Sequence, residues 1–352
     1  MKNFFLDITQ RPKQSPAMPF LIAEAGINHN GDLETAYKMI KVAKQVGADA
    51  VKFQTYNADE LYTDRTLMYT YISQGREVTE PQLDMFKRYE FTREQWFLIK
   101  KKCDEEDILF LSTPQSYSDL ELLLEIGIPA IKVGSDEFTN LPLVKKYAQT
   151  ELPLIVSCGM ADLGEVYQSL KAIGTFEGYP TILLVCTSQY PTPADDANIK
   201  RVQTLKNAFP SLTVGFSDHT QGFVAATLAA ALGAVVFEKH FTLSNDMPGP
   251  DHWFSENPES LAAWVNAIRT AYVMLGDGMV RPSIAEQEVK FSARRSVVAL
   301  SDVKKGELFT PANLGLRRPG SGLGPSAYED VLGKKAMDDI ASGSRLKLGD
   351  FV

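Results

Sequence analysis

Four histidines stand in the chain, His29, His219, His240 and His252, and each falls at or just after the end of a short β-branched run. His219 closes LTVGFSDH and His240 closes AVVFEKHF, two consecutive runs of the same kind. Paired imidazoles at neighbouring strand ends suit a borderline divalent ion such as Mn, Zn or Fe. Two protein ligands leave open positions for water and substrate, as a catalytic metal requires. Asp218 and Glu238 lie close enough in sequence to orient a ring nitrogen, unless strand alternation points them elsewhere.

Lys52, Lys132 and Lys239 sit inside apolar runs, where an ammonium is costly unless it is paired or functional. With the hydroxyls of Thr113, Ser135 and Ser157 they are expected to form a cradle for a phosphate and a carboxylate. The alternative is plain ion pairing with Glu24, Glu137 and Glu238. Glu24 ends the first run and Glu137 follows the fourth, so either can move protons on a hydroxyl or on a bound water. Gln54 and Tyr190 supply neutral donors suited to sugar hydroxyls, and the Pro248–His252 stretch is either a plain turn or a rigid loop that brings Asp251 beside the site. Arg318, on the turn Arg317-Arg318-Pro319-Gly320, can present a fork of donors to a carbonyl or anion.

These residues need a scaffold that gathers strand ends. Eight short runs qualify: FLIAEAG, DAVKFQT, ILFLSTP, PAIKVGS, PLIVSCG, TILLVCTS, LTVGFSDH and AVVFEKHF. Segments with helical apolar spacing, such as LETAYKMIKVAKQVG and GFVAATLAAALG, alternate with them. Near-continuous apolar strands alternating with helices predict a closed parallel (β/α)8 barrel, buried on both faces of its sheet. An open doubly wound sheet is the competing architecture, and no Gly-rich dinucleotide fingerprint follows any run to support it. The long stretch between the second and third runs, YNADELYTDRTLMYTYISQGREVTEPQLDMFKRYE, falls on the catalytic face of a barrel and is expected to form a lid or substrate loop.

Two domains and a linker are expected: a barrel over residues 1–280, a polar linker over 281–295, and a small, mostly β domain over 296–352. The last is expected to consist of two similar halves. ALSDVKKGELFTPANL from Ala299 and AMDDIASGSRLKLGDF from Ala336 align without gaps at Asp302/Asp339, Val303/Ile340, Gly306/Gly343 and Phe309/Leu346. A net charge of −8 over 352 residues gives no electrostatic footprint for nucleic acid or an anionic membrane. Cys103, Cys158 and Cys186 are too few and too scattered for a disulfide framework, and the N-terminus has no apolar run of signal-sequence length. A cytoplasmic protein acting on small molecules is therefore expected.

Taken together, IAEAGINHNG, VKFQTY, FLSTP, IKVGSDEFTN, IVSCGM, CTSQYPTP, GFSDHT, EKHFTL, PGPDH and RRPGSG resemble the N-acetylneuraminate (sialic acid) synthase family, in its order, from about Phe20 to Gly349. The C-terminal part is similar to that family's antifreeze-like (SAF) domain. The resemblance implies a condensation of phosphoenolpyruvate with an N-acylated amino sugar, in which Lys52, Gln54, Thr113, Lys132, Ser135 and Ser157 hold phosphoenolpyruvate. It implies Mn or Mg on His219 and His240, and proton transfer by Glu24 and Glu137 with Lys132 at the reacting end. Gln54, Tyr190 and Asp251 would contact the sugar, and Arg318 would reach it across a homodimer in which the SAF domain of one subunit covers the barrel of the other. Some positions depart from the family pattern: Ser188 replaces an amide or Thr, the loop after the second run lacks a clear sugar-binding Asn, and PDHWF replaces PDHKAS. The added bulk of Trp253 and Phe254 either favours a 6-deoxy, diacetamido sugar, as used for legionaminic or pseudaminic acid, or packs against the lid, so N-acetylmannosamine and a 2,4-diacetamido-2,4,6-trideoxy hexose both stay open as acceptors. The rivals are a Schiff-base lysine aldolase, which needs no metal, and a non-catalytic carbohydrate-binding protein.

Overall fold

The computed structural model describes residues 5, 6, 8, 18–61 and 63–352, so most of the N-terminal stretch weighed as a signal sequence lies outside the described residues. The chain divides into two compact units, one ending at Asp277 and the other spanning Gly278–Val352. No helix among the described residues is long and apolar enough to cross a membrane.

The first unit is built on β1 (Phe20–Gly26) and β2 (Ala50–Thr55), then the hairpin β3 (Met68–Ser73) and β4 (Arg76–Pro81), then β5 (Leu109–Pro114) and β6 (Ile131–Val133). It continues through β7 (Leu154–Ser157), β8 (Thr181–Val185), β9 (Thr213–Asp218) and β10 (Val236–His240). All but the hairpin form one parallel sheet in the order β5-β2-β1-β10-β9-β8-β7-β6, and β5 and β6 lie side by side to close it. Every run predicted as a barrel strand is one.

Side-chain alternation divides this barrel into layers. Ile22, Ala50, Leu111, Ala130, Ile155, Ile182, Leu184 and Val236 fill the interior, joined by Phe5 and Ile8, with Phe5 packing edge-on against Phe20. Neighbours of opposite parity, such as Leu21, Val51, Phe110, Ile131, Val156 and Phe237, face the surrounding helices. The helix Leu33–Gln45 shows how the outer layer forms. Asp32 caps it by accepting from the Thr35 N–H, and Ala36, Met39, Ile40 and Ala43 make one buried stripe at helical spacing.

Between β2 and β5, the expected lid stretch folds as the short helix Ala58–Leu61, the β3–β4 hairpin and the helix Gln82–Tyr89. Gln74 and Gly75, both at positive φ, make the tight hairpin turn. The turn is anchored across the barrel mouth, where Gln74 Nε2 donates to the Asp246 carbonyl (2.8 Å) and Ser73 Oγ accepts from the Gly249 N–H (3.1 Å).

The second unit contains the helix Ile284–Ala293 and the antiparallel pair β11 (Ser296–Ala299) and β12 (Leu314–Arg317). The helix occupies most of the stretch expected as linker. Its signal was the capping box of Ser283 and Glu286, which the polar composition masked. Beyond it the two-fold repeat is physical. Val303 and Ile340 exchange both backbone hydrogen bonds at 2.8 Å. Asp302 Oδ1 accepts from Ser342 N–H while Asp339 Oδ1 accepts from Lys305 N–H, the same bond shifted by one repeat. Gly306 and Gly343 share φ +82°, and Phe309 and Leu346 are both core residues.

Candidate active site

The inward positions at the C-terminal strand ends continue the apolar layers upward, but their residues are polar. Glu24, Lys52, Thr113, Lys132, Ser157, Glu238 and His240 lie there together, lining a cavity of about 440 Å³ with Gln54, Ser135, Tyr190 and His219. A second cavity of about 440 Å³ shares Gln54, Tyr69, Tyr190 and His240 with it and adds Tyr71, Asp251, Trp253 and Phe254.

At the floor of the first cavity is a buried ionic cluster. Lys52 Nζ lies 2.8 Å from Glu24 and 3.6 Å from Glu238, and donates to Thr113 Oγ (3.1 Å). Lys132 Nζ lies 3.9 Å from Glu238 and donates to Ser157 Oγ (2.8 Å). Ser217 Oγ donates to Glu238 Oε1 at 2.8 Å. The two carboxylates are held in opposite states. Burial drives Glu24 up to about 7 against the pull of Lys52, with Glu238 adding repulsion. Burial also opposes ionisation of Glu238, but Lys132 and Lys52 outweigh it and hold the group down at about 2. Burial lowers Lys132, whereas for Lys52 the two glutamates overcome burial and raise it. One acid thus stays charged as a counter-ion while the other sits where it can exchange a proton near neutrality.

Above this cluster the rings of His219 and His240 lie 5.7 Å apart. His219 Nδ1 is 2.6 Å from the Thr187 carbonyl, which can only accept, so Nδ1 carries the proton and Nε2 the lone pair. His240 Nδ1 is buried and has no hydrogen-bond partner among the described residues. Burial lowers His219 to about 4 and holds His240 well below its ordinary value, which favours the neutral ring in both. Tyr190 closes the wall with its ring 4.2 Å from His219 and 5.3 Å from Phe254. Gly26, at φ +52°, leaves open a point 3.6 Å from both Glu24 Oε1 and the His240 ring. Among the described residues no group of three or more His, Cys, Asp and Glu is arranged to hold a metal.

Several sequence expectations need correction. Lys239 does not join the other lysines. It has the opposite parity on β10 and points outward, 3.1 Å from Asp218 and 3.4 Å from Glu256, so the cradle has two lysines and not three. Asp218 also accepts from Trp264 Nε1 (3.0 Å) and does not orient a site imidazole. Glu137 is absent from the cavity lining. Its carboxylate accepts from Asn140 Nδ2 (2.6 Å) at the start of the helix Leu141–Ala148, and the adjacent Asp136 lines the cavity instead. His29 stacks on Phe91 at 4.2 Å, and His252 bonds Thr242 and Asn30 through its two nitrogens; both are structural. Arg318 belongs to the second unit, where it lines a groove of about 890 Å³ with Arg317, Arg345 and Lys347. Ser217 and Cys186 were missed, and Glu238 was weighed only as a partner. All three share the inward parity of their strands, two residues before a named site residue in the cases of Ser217 and Glu238.

A family model described as the NeuB family matches residues 39–280, and one described as the SAF domain matches residues 294–352. An N,N'-diacetyllegionaminic acid synthase of Campylobacter jejuni is 41% identical over 321 residues, 90% of this chain and 95% of its own. A pseudaminic acid synthase of the same organism is 38% identical over 333 residues, 94% and 96% of the two chains. The crystal structure of the N-acetylneuraminic acid (sialic acid) synthetase of Leptospira borgpetersenii in complex with citrate is similar at a TM-score of 0.69 and 33% identity, covering 78% of this chain and 91% of that one.

Proposed function

The chain belongs to the NeuB family, the nonulosonic acid synthases, with a SAF domain at its C-terminal end, and we propose that it joins phosphoenolpyruvate to the open-chain aldehyde of an N-acylated amino hexose. C3 of phosphoenolpyruvate forms the new carbon–carbon bond, water adds at C2, and the C2–oxygen bond to phosphate breaks. The products are a nine-carbon 2-keto acid and inorganic phosphate.

The observation that carries this reading is the paired-lysine floor. Lys52 and Lys132 present two ammonium groups beside the hydroxyls of Thr113 and Ser157, with Ser135 next to them, in a pocket sealed below by apolar layers. Such a pocket suits a small anion with both a phosphate and a carboxylate, and excludes the water that would weaken the contacts. Glu238 keeps both lysines charged and placed. Glu24, protonated for part of the time at neutral pH, donates its proton to the oxygen that becomes negative as the aldehyde is attacked. Glu137, turned away onto Asn140, has no part in this scheme.

The neutral imidazoles fit a divalent ion. His219 Nε2, its partner nitrogen spent on a carbonyl, and one nitrogen of the neutral His240 ring would hold Mn2+ or Mg2+, which would supply Lewis-acid polarisation of the aldehyde oxygen. The second cavity takes the sugar. Tyr69, Tyr71, Trp253 and Phe254 give it apolar faces. Burial raises the Asp251 carboxyl to about 7, so it can donate as well as accept toward a hydroxyl or amide. This lining and the names of the Campylobacter jejuni relatives favour a 2,4-diacetamido-2,4,6-trideoxy hexose over N-acetylmannosamine. From the family resemblance we keep the further proposal that in a homodimer Arg318 serves the acceptor of the partner subunit; mixing a chain carrying Arg318→Ala with one carrying Lys132→Met then restores activity that neither has alone.

A heavy-oxygen label at the C2–oxygen bridge of phosphoenolpyruvate tests the reaction. The label is expected in the released phosphate. Its retention in the keto acid, or borohydride trapping of Lys132 with substrate, contradicts the reading and favours other chemistry.

A further inference from the structure

The loop between β8 and the helix Arg201–Ala208 is folded around His219 to a degree that substrate binding does not require. The Thr187 carbonyl accepts from His219 Nδ1 at 2.6 Å, and the His219 carbonyl accepts from the Thr192 N–H at 2.7 Å. Thr187 is itself held by its hydroxyl, which donates to the Asp196 carbonyl (3.1 Å) and accepts from an Arg201 guanidinium nitrogen (2.6 Å). The same guanidinium caps the Ala197 carbonyl (3.2 Å) and, through Nε, the Asn198 carbonyl (3.4 Å). Among the described residues no carboxylate pairs with Arg201. Its donors go to one hydroxyl and two carbonyls of a single loop, which a surface ion pair would not do.

We propose that Arg201 is a positioning residue for His219: through the Thr187 hydroxyl it fixes the Thr187 carbonyl against Nδ1–H and thereby sets the tautomer of the imidazole. A carbonyl cannot donate, so while it stays in place the proton stays on Nδ1 and the lone pair on Nε2. Nε2 has Ser217 Oγ at 3.2 Å, but the only hydroxyl hydrogen of Ser217 is given to Glu238 Oε1. The lone pair is therefore left free at the cavity wall. The Thr187 carbonyl also accepts from the Gln189 N–H (2.9 Å) and the Thr192 hydroxyl (3.4 Å), so removing Arg201 loosens the Thr187 peptide without freeing it; the hold on Nδ1–H weakens, and the ring gains access to the tautomer with its proton on Nε2, where Ser217 Oγ can accept it. A ring in that tautomer cannot ligate through Nε2. Only the metal readout below rests on the function proposed above; the tautomer readout does not.

The test uses the full chain stripped of metal with EDTA, with histidine nitrogens isotopically labelled, and compares wild type with Arg201→Ala, Arg201→Lys, Thr187→Val and Thr187→Ser. Thr187→Val keeps the β-branched shape and removes only the hydroxyl, so it reports on the relay even where Arg201→Ala unfolds. Nitrogen NMR is expected to show His219 as the Nδ1–H tautomer in wild type and Thr187→Ser, and as a mixture in Arg201→Ala and Thr187→Val, with Arg201→Lys between. Titration with Mn2+, read by the signal of the free ion, is expected to give about tenfold weaker affinity in the same two variants. An unchanged His219 tautomer in both Arg201→Ala and Thr187→Val overturns the proposal. If His219→Gln leaves Mn2+ binding unchanged, the metal assignment falls by itself, and the nitrogen spectra alone decide the role of Arg201.

Discussion

At the scale of the residue, the site depends on two buried carboxylates in different protonation states. Glu238 is a counter-ion shared by two lysines, and Glu24, raised to about 7 by burial, is the proton carrier of the proposed reaction. Glu24→Gln is expected to lower kcat by about 10²–10⁴-fold, the usual worth of one acid–base group, with KM for phosphoenolpyruvate little changed. In wild type the rate falls as pH rises through about 7 and the Glu24 proton is lost; steady-state kinetics across that range should show this limb vanish in the variant. The types of these residues were legible in the sequence, but their directions were legible only through strand parity. Lys239 and Lys52 look alike in an apolar run, yet Lys239 is next to His240 and so faces away from it, onto Asp218 and Glu256. Glu137 carried no such signal, because it lies past the strand, where the chain turns into a helix and alternation no longer applies.

At the scale of the element, the outward cluster of Lys239, Asp218 and Glu256 ties together the ends of β9 and β10 that carry the two imidazoles. Lys239→Met leaves two buried carboxylates uncompensated and is expected to cost about 3–5 kcal/mol, read by denaturant unfolding. The β3–β4 hairpin works differently, since its tip is held by two hydrogen bonds and most of its lining residues face the second cavity, with Tyr69 alone shared with the first. Gln74→Ala, which releases the bond to Asp246, is expected to raise KM for the sugar while leaving KM for phosphoenolpyruvate unmoved. An equal rise in both constants would remove the hairpin from acceptor binding. The barrel strands were legible because strands covered on both faces give short unbroken apolar runs. The hairpin was legible only as an insertion, because its exposed strands leave no apolar pattern, and the exposed helix Ile284–Ala293 was hidden for the same reason.

At the scale of the molecule, buried histidines and buried carboxyls oppose one another in the pH dependence of stability. His29, lowered to about 3, and His252 and His219, lowered to about 4, take protons in the unfolded chain below its ordinary value of 6.5 but not in the fold, so acid destabilises through them. Glu24 and Asp251, raised to about 7, and Asp119, raised to about 6, hold protons in the fold that the unfolded chain has released, so acid stabilises through them down to their ordinary values. Between neutrality and about pH 5 the wild-type profile is therefore expected to be shallow. Asp251→Asn should make it steeper on the acid side by about 1 kcal/mol per pH unit, read by urea unfolding, and a profile parallel to wild type would contradict the assignment. The internal repeat of the second unit was legible around Val303 and Ile340, whose paired backbone bonds explain why those positions align.

In the proposed reaction the paired-lysine pocket activates phosphoenolpyruvate for attack on an amino sugar. This is tested most directly by phosphate release from phosphoenolpyruvate, using EDTA-treated protein with and without added Mn2+, and offering N-acetylmannosamine and 2,4-diacetamido-2,4,6-trideoxy hexoses side by side. Release that requires both the metal and a trideoxy acceptor, and that is lost in Lys132→Met, is the predicted result. No release with any of these acceptors when metal is present would contradict it.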